Sequence, residues 1–278
     1  TMTAVKFRDM KFGVTRVKMR EGQNGIRYMM ADQALDAYAQ RMTDRLVHWA
    51  KEKPTQTLFA RRVKNTDGTS GDWHHISYAD ALASARHIAQ GLINRGLSAD
   101  RPVVILSEND LEHALMALGC MVAGVPYCPA SPAYSTISQD YDKLRHILTT
   151  LTPGLVFAAD AARYGKAIQT AVGSDVEVVL THGTAEGHKN TSFADLLATP
   201  ITPAVDAAMQ ATGPDTLVKF LFTSGSTKLP KAVMNTQRMW CANQQQMRQS
   251  MPLLAEQPPV LIDWLPWNHT FGGNHNFG

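Results

Sequence analysis

Between Ser77 and Leu180 the chain alternates short apolar, β-branched runs with segments of helical period, and this alternation narrows the possible folds most. Val103–Ser107, Val125–Cys128, Gly154–Ala158 and Val176–Leu180 read as strands, apolar along most of their length as strands buried on both faces are. Ser77 followed by Asp80 forms a capping-box-like helix start, after which Leu82, Ala85, Ala89 and Leu92 recur at helical spacing until Gly96 closes the helix. Leu111–Val122 sets Leu111, Leu115, Leu118 and Val122 on one helix face, and Tyr141–Leu151 is a third helix. Strands linked through helices need crossover connections, so the expected fold class is α/β, with mostly parallel β-sheet flanked by helices.

Local signals extend the reading on either side. Residues 1–30 alternate basic and apolar positions and predict an edge strand or two. Asp32 is placed to N-cap a helix over Gln33–Lys51 that Pro54 ends. Leu58–Val63 and Trp73–Ile76 read as a hairpin turning at Asp67–Gly68. Thr181–Pro214 is a polar connector with a short helix at Phe193–Leu197. Thr236 caps a helix that runs through Ser250 and stops at Pro252, and Val260–Leu265 reads as a buried strand.

Composition excludes several classes. With 44% hydrophobic and 18% charged residues, the 278-residue chain is neither disordered nor short of core-forming side chains. A formal charge of +3 is too small and too dispersed to argue for nucleic acid. Cys120, Cys128 and Cys241 have no metal-ligand spacing and read as reduced core residues, which suits a cytoplasmic protein. No signal peptide is visible, and the uncharged stretch Ala114–Ala130, broken by Gly119, Gly124, Pro126 and Pro129, reads as buried helix, turn and strand rather than a membrane span.

Chemistry concentrates in LFTSGSTKLPKAV, Leu221–Val233. The apolar strand Thr216–Phe222 leads into Thr223, Ser224, Gly225, Ser226 and Thr227, with Lys228 and Lys231 close behind. Such a loop offers backbone N–H groups and hydroxyls as donors and ammonium groups as counter-charges, which is what a polyphosphate requires. The Walker spacing G-x-x-x-x-G-K-[ST] is absent, which argues against a P-loop NTPase; a Ser/Thr-rich surface turn is the plain alternative. A second constellation, PWNHTFGGNHNFG, follows the Val260–Leu265 run and would form a site rim beyond a strand end. Its histidines lack acidic or Cys partners at metal spacing, so a loop histidine is the alternative for His269 and the preferred reading for His275.

On these residues the chain resembles the adenylate-forming superfamily of acyl- and aryl-CoA synthetases, adenylation domains and luciferases. TSGSTKLPKA stands against the family's usual TSGSTGxPKG, with Lys228 and Ala232 where the family has Gly. MVAGVPYCPASPAYS (Met121–Ser135) and SYADALASARHIAQGL (Ser77–Leu92) are similar to family packing elements. Leu265, Pro266, His269 and Gly272 match its LPxxHxxG segment.

The resemblance implies that a carboxylate attacks the α-phosphorus of ATP, pyrophosphate leaves, and the acyl-AMP then accepts the thiol of CoA. It implies that Thr223, Ser224, Gly225, Ser226 and Thr227 hold phosphates, that Lys231 stabilises the departing pyrophosphate or secures the loop, and that Mg2+ sits against the phosphates beside Thr223. His269 would orient the carboxylate, and Trp267, Asn268, Phe271 and Gly272 would shape the acyl pocket. WNHTFGGNHNFG and NTQRMWCANQQQM are most similar to feruloyl-CoA synthetases, which implies a hydroxycinnamic (phenylpropanoid) acid. The family's further magnesium- and ribose-binding acids and its catalytic Lys on a C-terminal lid have no match here. Residues 1–278 are therefore expected to be the N-terminal part of the large AMP-binding domain, inactive alone and partnered by the missing half of the same enzyme. Three readings stay open beside this: a non-catalytic α/β anion-binding module, an adenylation domain loading a carrier protein, and activation of a fatty or benzoic acid.

Overall fold

The computed structural model describes residues 10–223 and 229–278. It opens with an antiparallel hairpin, β1 (Val17–Glu21) and β2 (Arg27–Ala31), whose residues are all exposed and which pairs with no other strand among the described residues. Helix α1 (Met42–Glu52) follows, then a second hairpin, β3 (Thr57–Lys64) and β4 (Ser70–Ser77). Next come α2 (Tyr78–Asn94), β5 (Val103–Leu106), α3 (Leu111–Ala123), β6 (Tyr127–Pro129), α4 (Ala133–Thr136), α5 (Asp142–Leu151) and β7 (Leu155–Asp160). Helix α6 (Ala161–Ala171), β8 (Glu177–His182), β9 (Asn190–Ser192), α7 (Phe193–Leu197) and α8 (Ala204–Ala211) lead to β10 (Leu217–Thr223). The chain finishes with β11 (Lys231–Thr236), α9 (Gln237–Ser250), α10 (Leu253–Glu256) and a π-helical turn at Phe271–Asn276.

Seven strands form one sheet in the order β11-β10-β6-β5-β7-β8-β9. All neighbours are parallel except β10 and β11, so the expected mostly parallel α/β sheet is what folds. Along β5, Val103 and Ile105 enter the core under α2 and α3, whereas Val104 and Leu106 enter the opposite core under α5 and α6. This period-two division explains the continuous apolar run: both faces are covered. Each such fully buried Val, Ile or Leu contributes about 1.5–3 kcal/mol. Helix α2 begins as expected, with the Asp80 N–H donating to Ser77 Oγ at 3.1 Å and Ser77 Oγ donating to Asp80 Oδ2 at 2.6 Å. No helix among the described residues is long and apolar enough to cross a membrane.

Several expectations need correction. Asp32 does not cap a helix: its carboxylate pairs with Lys18 at 2.7 Å and its N–H extends the hairpin to the Arg16 carbonyl. Helix α1 starts instead at Met42, where Asp44 reaches back to accept from the Arg41 N–H at 3.0 Å. Two further helices appear: α6, between the strands read at Gly154–Ala158 and Val176–Leu180, and α8, within the stretch read as connector. The largest departure is Val260–Leu265, which forms no strand; Val260 is 97% and Ile262 92% exposed. An apolar β-branched run becomes a strand only beside a ladder partner, and none lies beside this one among the described residues.

Candidate functional site

Strand β10 runs parallel to β6, which runs parallel to β5, so the carboxyl ends of all three point to one edge of the sheet. At that edge lie Thr223, the last residue of β10, and the Ser107–Asn109 turn after β5. Ligands of open parallel sheets bind beyond this edge.

Antiparallel pairing of β10 with β11 sets Thr223 directly opposite Lys231, so the two flank the mouth of the intervening loop. Both are exposed. Behind the loop, a ring nitrogen of His146 on α5 lies 2.9 Å from the Pro230 carbonyl, and the His146 ring meets Phe222 edge-on. Of the five residues expected to hold phosphates ahead of Lys231, Ser224, Gly225, Ser226 and Thr227 lie outside the described residues, as does Lys228.

The second constellation folds as a turn, Pro266–His269, followed by the π-helical turn. His269 is exposed, its N–H donates to the Pro266 carbonyl at 3.1 Å, and its carbonyl accepts from the Gly273 N–H at 2.7 Å. Asn268 is half-buried beside it, and Phe271 is exposed with its ring against His275. Trp267 turns inward: its ring stands edge-on to His113 and Phe277, and its Nε1 donates to Asp263 Oδ2 at 2.6 Å. Gly272 and Gly273 are dictated by close approach. A Cβ on Gly272 would meet the Pro266 carbonyl oxygen at 2.3 Å, and one on Gly273 the Trp267 carbonyl oxygen at 2.3 Å.

Side chains from four elements clamp this segment. Asn109 works at both ends of its amide, with Nδ2 donating to the Leu265 carbonyl at 2.8 Å and Oδ1 accepting from the Trp267 N–H at 3.0 Å. The Asn274 carbonyl accepts from Trp240 Nε1 at 3.0 Å and from Gln244 Nε2 at 2.6 Å, both on α9. Asn274 Nδ2 donates to Asn235 Oδ1 on β11 at 3.2 Å, and Lys219 Nζ on β10 donates to the Gly273 carbonyl at 2.8 Å. Asp263 and Asn276 close the segment on itself at 2.9 Å.

The arrangement thus ties the His269 segment to the same two strands whose ends carry Thr223 and Lys231. Asn109 and Lys219 are additions that motifs do not reveal, and Asn235, Trp240 and Gln244 lie in NTQRMWCANQQQM without a role implied for them. Only the mixed polar and packed character of α9 hints at Trp240 and Gln244, and Lys219 is hidden in an apolar strand. Electrostatically the interior favours neutral groups. Burial pushes the His113 imidazole down to about 4, helped by the nearby Lys219 charge against the opposing Glu108 carbonyl contact. Burial likewise holds the Lys219 ammonium well below the usual lysine range. Among the described residues no three His, Cys, Asp or Glu side chains gather into a metal site.

A family described as AMP-binding enzyme matches residues 46–277. The chain is 28% identical over 206 residues to fatty acyl-CoA synthetase B of Dictyostelium discoideum, covering 70% of this chain and 30% of that protein. It is 28% identical over 210 residues to 4-coumarate–CoA ligase 3 of Oryza sativa subsp. japonica, covering 75% and 35% respectively. Its fold overlays a structure from work on the fatty acyl-adenylate ligases of E. coli and L. pneumophila with a TM-score of 0.63 at 21% identity, across 86% of this chain and 38% of that one. The chain therefore spans only part of the length of the curated relatives it matches, 30% and 35% of the two named.

Proposed function

The chain belongs to the AMP-binding enzyme family, and from that premise we propose that it carries the ATP-facing and acid-facing part of an AMP-forming acid–thiol ligase. In the reaction a carboxylate oxygen bonds to the α-phosphorus of ATP as the bond to pyrophosphate breaks. The thiol sulfur of CoA then bonds to the acyl carbon as AMP leaves. The substrate in this reading is an aromatic acid of the hydroxycinnamic, feruloyl-like class. The observation that carries the reading is that two motif-bearing parts share the same two strands: the pair Thr223 and Lys231 at their ends, and the His269 segment clamped by Lys219 and Asn235 farther along them.

In this reading Thr223 and the loop hydroxyls and N–H groups after it receive the β- and γ-phosphates, and Lys231 offsets the charge of the departing pyrophosphate. Thr223 would offer a hydroxyl to a magnesium ion brought in with ATP, and when bound such an ion would neutralise phosphate charge. Exposed His269 orients the carboxylate, with Asn268, Phe271 and the close-packed Gly272 shaping the acyl side, while Trp267 supports that side from within. Because the chain covers 30% and 35% of the two relatives named, we assign it to the N-terminal part of the large domain, with thioester formation requiring further residues.

The test is ATP–pyrophosphate exchange by this chain and by any longer polypeptide that carries it, with ferulate, benzoate and octanoate supplied separately. Strongest exchange with ferulate in the longer polypeptide supports the whole reading. Strongest exchange with octanoate keeps the adenylation and transfers the substrate class to fatty acids, the class named for the Dictyostelium relative. Exchange without thioester on CoA would move the acyl group to a carrier protein. No exchange, together with no ATP binding by calorimetry, would leave a non-catalytic module.

A further inference from the structure

Lys219 is the described side chain whose chemistry is least explained by packing. It lies in the middle of β10, paired with Tyr127 on one side and Asn235 on the other, and is 1% exposed. No carboxylate among the described residues forms an ion pair with it. Its Nζ lies 3.4 Å from the centroid of the Trp240 ring and donates to the Gly273 carbonyl. Placing an ammonium there carries a desolvation cost that an apolar side chain of similar length would avoid. Fold stability therefore does not account for it.

Following its hydrogen bond outward gives the account. Lys219 Nζ holds the Gly273 carbonyl, and the N–H of the same residue holds the His269 carbonyl at 2.7 Å. Four residues along β10 from the lysine is Thr223, at the loop mouth. Lys219 thus links the strand that ends at Thr223 to the peptide that presents His269. The other clamps do not duplicate this: Asn109 holds the start of the segment, and Asn235, Trp240 and Gln244 hold Asn274. Neither protonation state of Lys219 breaks the link, since an amine N–H and an ammonium N–H both donate to a carbonyl.

We propose that Lys219 is a positioning residue that fixes the His269 turn relative to β10, so that the carboxylate and phosphate ends of the site meet. The inference rests on the ligase reading above for its catalytic consequence, and on geometry alone for its structural one.

The test is Lys219→Met, which keeps the length and the contact with Trp240 and removes the donor, with Lys219→Arg as the donor-retaining variant. By hydrogen exchange, the amides of residues 266–277 should exchange about tenfold faster in Lys219→Met, while α2 and α3 keep wild-type protection. Loss of the donor leaves the Gly273 carbonyl unpaired, which offsets the relief of removing a buried amine, so global stability should stay near the wild-type value while local protection falls. In the exchange-active polypeptide, the acid-dependent rate should fall about tenfold with the KM for ATP unchanged, and Lys219→Arg should recover part of both losses. Should Lys219→Met fail to fold, Lys219→Gln, which keeps a shorter donor, is read by the same measurements and should fall between the two. Unchanged protection of 266–277 in a folded variant overturns the proposal. A wild-type polypeptide without exchange overturns the ligase reading instead, and the hydrogen-exchange result then decides the structural role of Lys219 by itself.

Discussion

The two arms of the candidate site are built on opposite principles. The β10–β11 arm is held by its main chain: a ladder from Leu217↔Thr236 to Thr223↔Lys231 fixes it whatever most of its side chains are. The Asp263–Phe277 arm has no ladder among the described residues, and its position is set by individual side chains reaching in from Asn109, Lys219, Asn235 and α9. A backbone-held arm concentrates its chemistry at its tip and tolerates change along its length. A side-chain-held arm spreads its dependence over residues far from the chemistry, so single substitutions there should disturb position before they disturb reactivity.

The sharpest way to separate the two is Thr223→Ala. The ladder partner of Thr223 is retained through the backbone, so urea denaturation should show an unchanged midpoint, while adenylate formation falls on the order of 10²-fold. A stable variant with an undiminished rate would remove Thr223 from the phosphate site. Asn109→Ala reverses the pattern. It strands the Leu265 carbonyl and the Trp267 N–H together, which should cost about 2 kcal/mol in denaturation. Asn109→Asp keeps the acceptor for Trp267 but sets a carboxylate against the Leu265 carbonyl, so it should recover no more than part of that loss. Recovery in full would mean that the Leu265 contact contributes nothing.

The same division decides what can be read from the residues alone. Wherever a local rule governs, the sequence is legible: Ser77 and Asp80 cap α2, Thr236 caps α9 through the Met239 N–H at 3.3 Å, and the continuous apolar runs become the doubly covered β5 and β7. The candidate site is legible only as motif: Thr223, Lys231 and His269 are named from the sequence, and the structure adds where they lie. What escapes depends on partners distant in sequence. Asp32 has two competing uses, and the cationic Arg16 and Lys18 outweigh helix capping. Helix α6 is hard to see although Asp160 caps it at 2.7 Å and Tyr164, Ala167 and Ile168 stand at helical spacing; Gly165 interrupts the pattern. Val260–Leu265 has strand composition without a ladder partner, and Lys219 looks like an exception in an apolar strand until Gly273 is seen above it.

The side-chain-held arm should also respond to pH in a way the ladder does not. His113, buried against Trp267, is held down to about 4 against an ordinary 6.5, so the unfolded chain binds the proton more readily. Its contribution to stability is complete above pH 6.5 and is lost as pH falls toward 4. One pH unit below the unfolded value the loss should be about 1 kcal/mol. Denaturation midpoints measured from pH 7 to 4.5 should fall more steeply for the wild type than for His113→Asn. Parallel slopes would show that the imidazole is solvated in the folded chain.

Smallest of all should be Met234→Thr. Met234 sits in the ladder opposite Phe220, yet it is 61% exposed, so its side chain contributes little while its N–H and C=O do the pairing. Threonine suits a strand as well as methionine does, and stability should move by less than about 0.5 kcal/mol. The measurement is informative because β11 is the outer strand of the sheet, and its neighbour Val233 is also exposed. A loss beyond about 1.5 kcal/mol would mean that this face is packed in solution, so that the ladder-held arm also depends on side chains. The contrast between the arms would then be one of degree, set by how much of each arm's surface is covered.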